Sequence, residues 1–131
     1  MQKIPESLLQ RHQKWIDVVN AGDVDEYANL LVEDAVWIPP GQDPIIGRRA
    51  FREWVAPFLE EFSYEFAITD ERIRVAGDWA IEKARFTSEM IPYRGGKPMK
   101  HMGTFTVLWN RGSDEIWYIE RYIDDSDLSL S

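Results

Sequence analysis

The feature that most constrains this chain is a change of hydrophobic period at Phe62. Before it, apolar residues recur at helical spacing. Leu8, His12, Trp15, Ile16 and Val19 fall on one stripe, as positions i, i+4, i+7 and i+8 do on a helix of 3.6 residues per turn. Pro5 suits the first turn of that helix, and Asn20-Ala21-Gly22 suits its end. Asp23, with Glu26 three residues on, reads as the capping box of a second, short helix whose apolar side is Val24, Tyr27, Ala28 and Leu31. Ala35-Val36-Trp37-Ile38 reads as a short strand stopped by Pro39-Pro40-Gly41. Gly47 opens a third helix, with Phe51, Trp54, Val55, Phe58, Leu59 and Phe62 in its stripe. Pro57 within it predicts a kink or an early end, because its ring removes a backbone donor.

After Phe62 the pattern alternates. Four segments follow, at about 63–76, 78–92, 98–111 and 115–124, broken at Gly77-Asp78, Gly95-Gly96 and Gly112-Ser113-Asp114. Short connections containing Gly between alternating runs predict hairpins and an antiparallel sheet. Strands this long exceed the usual 5–6 residues, and long strands twist and curl. Helices first and strands second predict an α+β cone: three N-terminal helices packed on a strongly bent antiparallel sheet, as one domain over 1–131. A concave sheet closed by helices leaves a pocket suited to a small molecule.

Composition narrows the partners. Lys and Arg number 15 against 23 Asp and Glu, a net charge of −8. That balance argues against nucleic acid and against anionic membrane surfaces. The absence of cysteine excludes disulfides and thiolate metal sites, and two histidines make a multi-histidine metal site improbable, so neither a metal nor a cofactor is expected. The opening Met1-Gln2-Lys3-Ile4-Pro5-Glu6 has no apolar run of the kind a signal peptide carries, which leads to the expectation of a cytoplasmic protein. Six Trp, five Tyr and six Phe supply far more aromatic surface than a domain this small ordinarily needs.

Several motifs resemble a known family. Trp15, Asn20-Ala21-Gly22-Asp23, Tyr27, Leu31 and Glu33-Asp34-Ala35, at this spacing, are similar to the opening of the nuclear-transport-factor-2-like superfamily, and within it to SnoaL-like and ketosteroid-isomerase-like proteins. Pro40-Gly41, Gly47-Arg48 with Ala50, Gly77-Asp78-Trp79-Ala80, and Trp109 with Tyr118-Ile119 extend the resemblance over nearly the whole chain. It implies the same cone, in a group spanning isomerases, cyclases, dehydratases, hydrolases, non-catalytic binders and protein-transport factors, so it does not fix a reaction. Ketosteroid isomerase chemistry needs a carboxylate base and two oxyanion donors. By the resemblance those positions fall at Trp15, just after Trp37-Ile38, and near Phe105, and none holds a carboxylate. No steroid isomerisation by that route is expected.

Strand alternation assigns the remaining candidates. Trp117, Ile119, Arg121 and Ile123 share one parity, so Arg121 is expected inside, as an anchor for a carboxylate, phosphate or enolate. Glu82 shares the inward parity of its strand and is a candidate general base or a partner for Arg121; His101 is the candidate proton shuttle. His12 reads as a hydrogen-bonded packing residue. Trp15, Trp37, Trp54 and Phe86 are candidates for an aromatic wall around a flat ligand. Trp79, Ile81, Leu108, Tyr118 and Tyr122 are expected outward, forming a patch that a homodimer would cover. Asp124-Asp125-Ser126-Asp127 reads as a solvated tail. The expected ligand is a small apolar or partly anionic molecule. The expected function is small-molecule binding, with isomerase-, cyclase- or hydratase-like catalysis open; the alternative is a non-catalytic protein-interaction or ligand-shielding dimer module.

Overall fold

A computed structural model describes residues 3–125. Helix α1 (Glu6–Ala21) buries Leu8, His12, Trp15, Val18 and Val19, the stripe expected of it. It stops at Gly22, whose φ of 69° lets its own N–H reach the Val19 carbonyl and the Asp23 N–H reach that of Val18. Only Gly adopts that conformation without a Cβ penalty. Asp23 then caps α2 (Val24–Ala28) by accepting from the Glu26 N–H at 3.1 Å. Strand β1 (Leu31–Ile38) is longer than its apolar run suggested. A two-residue strand, β2 (Ile45–Ile46), leads into α3 (Arg48–Glu61). Arg48 ties the start of α3 to β1 by donating from Nε and Nη2 to the Leu31 carbonyl at 2.9 and 2.7 Å. Pro57 does not end α3 early: the helix runs four residues past it, carried by the burial of Phe51, Val55 and Leu59.

The second half is β3 (Phe62–Ala76), β4 (Trp79–Pro92), β5 (Met99–Arg111) and β6 (Trp117–Asp124). The sheet order is β2-β1-β6-β5-β4-β3. Consecutive pairs from β3 to β6 are antiparallel, as expected, but β1 lies parallel to β6, so the sheet is mixed. The architecture is the α+β cone, with the helices on its concave side. On β4 the alternation is clean: Ala80, Glu82, Ala84, Phe86 and Ser88 are buried while their neighbours are exposed.

One irregularity decides which side chains face inward. The β5–β6 register shifts between Leu108 and Trp109, where Leu108 pairs with Arg121 but Trp109 pairs with Ile119. One residue of β6 is left over, and the parity flips there. Trp117 and Ile119 are buried, then Tyr122 is buried, and Arg121 is exposed. Two expectations fall with it. Arg121 does not face the interior, and Tyr122 does not belong to the outer face.

Candidate functional site

The concave face divides into a packed end and an open end. At the packed end, Glu82 is fully buried from β4. Its two oxygens are both engaged: Oε2 accepts from His12 Nε2 on α1 at 2.5 Å, and Oε1 accepts from Trp109 Nε1 on β5 at 3.0 Å. Burial pulls the His12 pKa down, but the hydrogen bond and charge of Glu82, with a further contribution from Glu71, outweigh it and leave the pKa raised. Trp15 adjoins this cluster, its ring edge-on to His12 and Trp109 with centroids 6.0 Å away in each case. The Trp15 indole N–H is buried without a hydrogen-bond acceptor, although it lies near enough to the Tyr27 phenol to favour its ionised form slightly.

At the open end a cavity of about 260 Å³ lies between α3 and the sheet. Its floor is Trp37 from β1 stacked on Tyr122 from β6, with ring centroids 3.9 Å apart and planes 13° apart. Phe86 from β4 and Trp54 from α3 form its walls. Trp54 Nε1 donates to Gln42 Oε1 at 3.4 Å, which links the wall to the loop after β1. Tyr27, Tyr64, Ser88, His101 and Asp124 bring the remaining polar atoms to this space.

The cavity phenols are poor acids. Burial raises the pKa of Tyr64 to about 12 and that of Tyr27 further. Tyr122 is raised well above the ordinary value by burial first, then by the Asp124 carboxylate. Desolvation disfavours the charged form, so these groups stay protonated at neutral pH and act as hydrogen-bond partners, not bases. His101 pairs with Ser88 across the β4–β5 ladder and sits exposed at the rim, edge-on to Phe86 with centroids 5.2 Å apart.

Of the residues singled out in the sequence, Trp37, Trp54, Phe86 and His101 line the cavity. Trp15 is buried beside it without lining it, Glu82 is buried elsewhere on the concave face, and Arg121 is on the outside. Glu82 does point inward, but its partner is His12 and not Arg121. Tyr27, Tyr122 and Asp124 were not singled out as cavity residues. Asp124 was read as the start of a solvated tail; it ends β6 and lines the cavity, Asp125 is exposed, and Ser126 and Asp127 lie outside the described residues. Among the described residues no three His, Asp or Glu side chains converge as a metal site, and no helix is long and apolar enough to cross a membrane.

The sequence profile of the SnoaL-like domain family matches residues 12–116. No curated protein is a significant match. Among solved structures, a protein of Novosphingobium aromaticivorans provisionally named an aromatic ring hydroxylase superposes with a TM-score of 0.83 at 20% identity, covering 95% of this chain and 92% of its own. A provisionally named dehydratase of the NTF2-like family from Streptomyces avermitilis gives 0.82 at 16% identity, covering 94% and 96%. A ketosteroid isomerase-like protein from Erwinia carotovora gives 0.76 at 16% identity, covering 95% and 100%. At these identities the likeness is one of fold.

Proposed function

The chain belongs to the SnoaL-like domain family, and from that premise we propose that it binds a flat, largely apolar small molecule in the cavity between α3 and the concave sheet. The observation that carries this reading is the cavity itself: about 260 Å³, walled by Trp37, Trp54, Phe86 and Tyr122, with a mostly apolar lining. Pockets of that make-up bury a ligand's apolar body and orient it through a few directed hydrogen bonds. Tyr27 and Tyr122 suit a ligand oxygen at the floor, since a protonated phenol can donate to a carbonyl. The relatives named as dehydratase and ketosteroid isomerase-like favour carbonyl chemistry as the catalytic version of this reading. In that version His101 at the rim moves the proton. Glu82 takes no part, because both its oxygens are held away from the cavity.

The test is a titration with the neutral fluorophore N-phenyl-1-naphthylamine. Saturable binding with quenching of indole emission is expected, and Ser88→Phe, which places a ring in the cavity, should weaken it at least tenfold. Saturable binding that Ser88→Phe leaves intact, or no binding at all, would overturn the reading.

A second reading concerns the outer sheet face. Trp79 and Ile81 are 44% and 45% exposed on β4, and Leu108 stands beside Ile81 on β5. We propose that a second copy covers this patch, because exposed apolar groups of this kind cluster at interfaces. Ile81→Lys should then shift the mass measured by sedimentation equilibrium from dimer to monomer; a wild-type monomer at high concentration would remove this reading.

A further inference from the structure

We propose that the cavity selects an organic cation: a flat aromatic body carrying a protonated amine or a quaternary ammonium group, with Asp124 as its counter-charge. The proposal rests on the reading that this cavity binds a small molecule, and deepens it by fixing the sign of the ligand's charge.

The argument begins with which charges reach the cavity. Among the described residues no Lys or Arg lines it, Asp124 is the one carboxylate there, and His101, at the rim, is the one lining residue able to carry a positive charge. The groove that continues past Ser88 and His101 adds Glu65 and Glu89 against Lys100, so the approach is also net negative. The whole chain carries −8. The strands set this sign. On β4, Lys83 and Arg85 fall on the outward parity, and the β6 irregularity turns Arg121 outward and Asp124 inward.

An anionic ligand entering this space would leave water for aromatic walls and a carboxylate, with only the His101 imidazole at the rim to meet it; burying a charge without a close partner is strongly unfavourable. A cation meets the reverse conditions. The faces of Trp, Tyr and Phe rings carry negative electrostatic potential, and a cation within about 6 Å of a ring centroid is attracted to it. The phenols do not reverse this, because each oxygen can accept from an ammonium as readily as it can donate to a carbonyl. The field at the floor is already felt by Tyr122, whose ionisation is opposed by burial and then by Asp124. A ligand amine beside Asp124 brings its ring body against the aromatic residues of the lining, Trp37, Trp54, Phe86 and Tyr122.

Three probes of one shape separate the outcomes: 1-naphthylmethylammonium, 1-naphthalenemethanol and 1-naphthoate, titrated calorimetrically at pH 7 into wild-type protein and Asp124→Asn. Wild-type protein should prefer the cation to the alcohol by about tenfold and bind the carboxylate weakest. Asp124→Asn should erase most of the cation's advantage over the alcohol, in a variant whose circular dichroism and cooperative melting show that it is folded. If the alcohol binds and the cation binds no better, or the carboxylate binds best, the charge assignment is wrong and the binding reading stands. If the preference for the cation survives in Asp124→Asn, Asp124 is not its counter-charge. If none of the three binds, the binding reading falls as well.

Discussion

The two ends of the concave face use similar side chains to opposite ends. At the packed end a carboxylate, an imidazole and an indole N–H meet with both carboxylate oxygens satisfied, and Glu82 is wholly removed from solvent. At the open end a carboxylate, an imidazole and three phenols surround empty space. The packed cluster resembles a catalytic constellation on paper: a titratable pair in an apolar setting with a perturbed histidine. Such perturbation is also what a structural ion pair produces. The deciding fact is access, because neither Glu82 nor His12 lines the cavity. The open end has room for a small molecule beside its polar groups. Burial marks what holds the cone together, and cavity exposure marks which side chains an entering molecule would touch.

The largest effect that can break this contrast is the loss of Glu82. Glu82→Leu leaves the His12 and Trp109 donors buried without an acceptor. Removing one partner of a buried ionic pair typically costs about 3–5 kcal/mol, so urea unfolding should show a loss of that order. The double variant His12→Leu/Glu82→Leu should recover part of it, since the stranded imidazole goes while the Trp109 N–H stays without its acceptor. A Glu82→Leu protein as stable as wild type would mean that the packed end is not structural.

The same pair predicts a pH dependence. The folded-state pKa of His12 is raised above its ordinary value of 6.5. The stabilisation from its protonated form is therefore complete below that value and is lost as pH rises through the folded-state pKa. Wild-type protein should melt at a lower temperature on the alkaline side of this window than on the acid side, and His12→Gln should lose that part of the profile. An unchanged profile in the variant would show that another group titrates.

At the open end the expected effects are smaller and fall on binding. The Tyr122 phenol makes no hydrogen bond to protein among the described residues, yet its ring stacks on Trp37 and Phe105. Tyr122→Phe keeps the stack and removes the hydroxyl. Stability should change by less than about 1 kcal/mol, whereas affinity for 1-naphthaldehyde, a carbonyl-bearing probe, should fall by the worth of one neutral hydrogen bond, about 0.5–1.5 kcal/mol. Calorimetry against wild type reads both. A stability loss with no change in affinity would place the hydroxyl in the packed end and not at the cavity.

Much of this arrangement was legible in the sequence. The period change marks the boundary between α3 and β3 to within one residue: Phe62, read as the last of the helical stripe, is the first residue of β3. Asn20-Ala21-Gly22-Asp23 encodes a left-handed helix stop and a cap, and both are present. Trp37, Trp54, Phe86 and His101 reach the cavity because helical and strand periods carry them there. The parallel β1–β6 pair was not legible, since it joins segments about 85 residues apart and leaves no local trace. Leu31-Val32-Glu33-Asp34 lacks alternation, which hid the first half of β1. His12 as a hydrogen-bonded packing residue and Glu82 as an inward carboxylate are both legible from their positions; that each is the other's partner is not, because α1 and β4 are 70 residues apart at that contact. Tyr122 is hidden by the register shift in β6, because alternation read from Trp117 onward places it on the wrong face, and Asp124 is hidden by the acidic run it opens, which reads as a solvated tail.

Arg121 tests that shift most directly, and the expected result is the smallest of all. Read by parity from Trp117 and Ile119, it would be the sole guanidinium inside the cone and a natural anion anchor. In the structure it pairs with Leu108 across the ladder, its side chain is exposed, and it lines no part of the cavity. An exposed side chain away from caps, buried networks and strained backbone usually changes stability by no more than about 0.5 kcal/mol when replaced. Arg121→Ala should therefore leave the urea midpoint and the affinity for every naphthyl probe unchanged within error. Its one electrostatic trace is on neighbouring Glu120, whose pKa is raised by burial and by Asp34 while Arg121 opposes the rise. Arg121→Ala should push that carboxyl slightly higher, which a carboxyl-detected titration can follow. A marked loss of affinity for 1-naphthoate in Arg121→Ala would instead place the guanidinium in the cavity. It would also return β6 to unbroken alternation, and with that reverse the sign of charge assigned to the ligand.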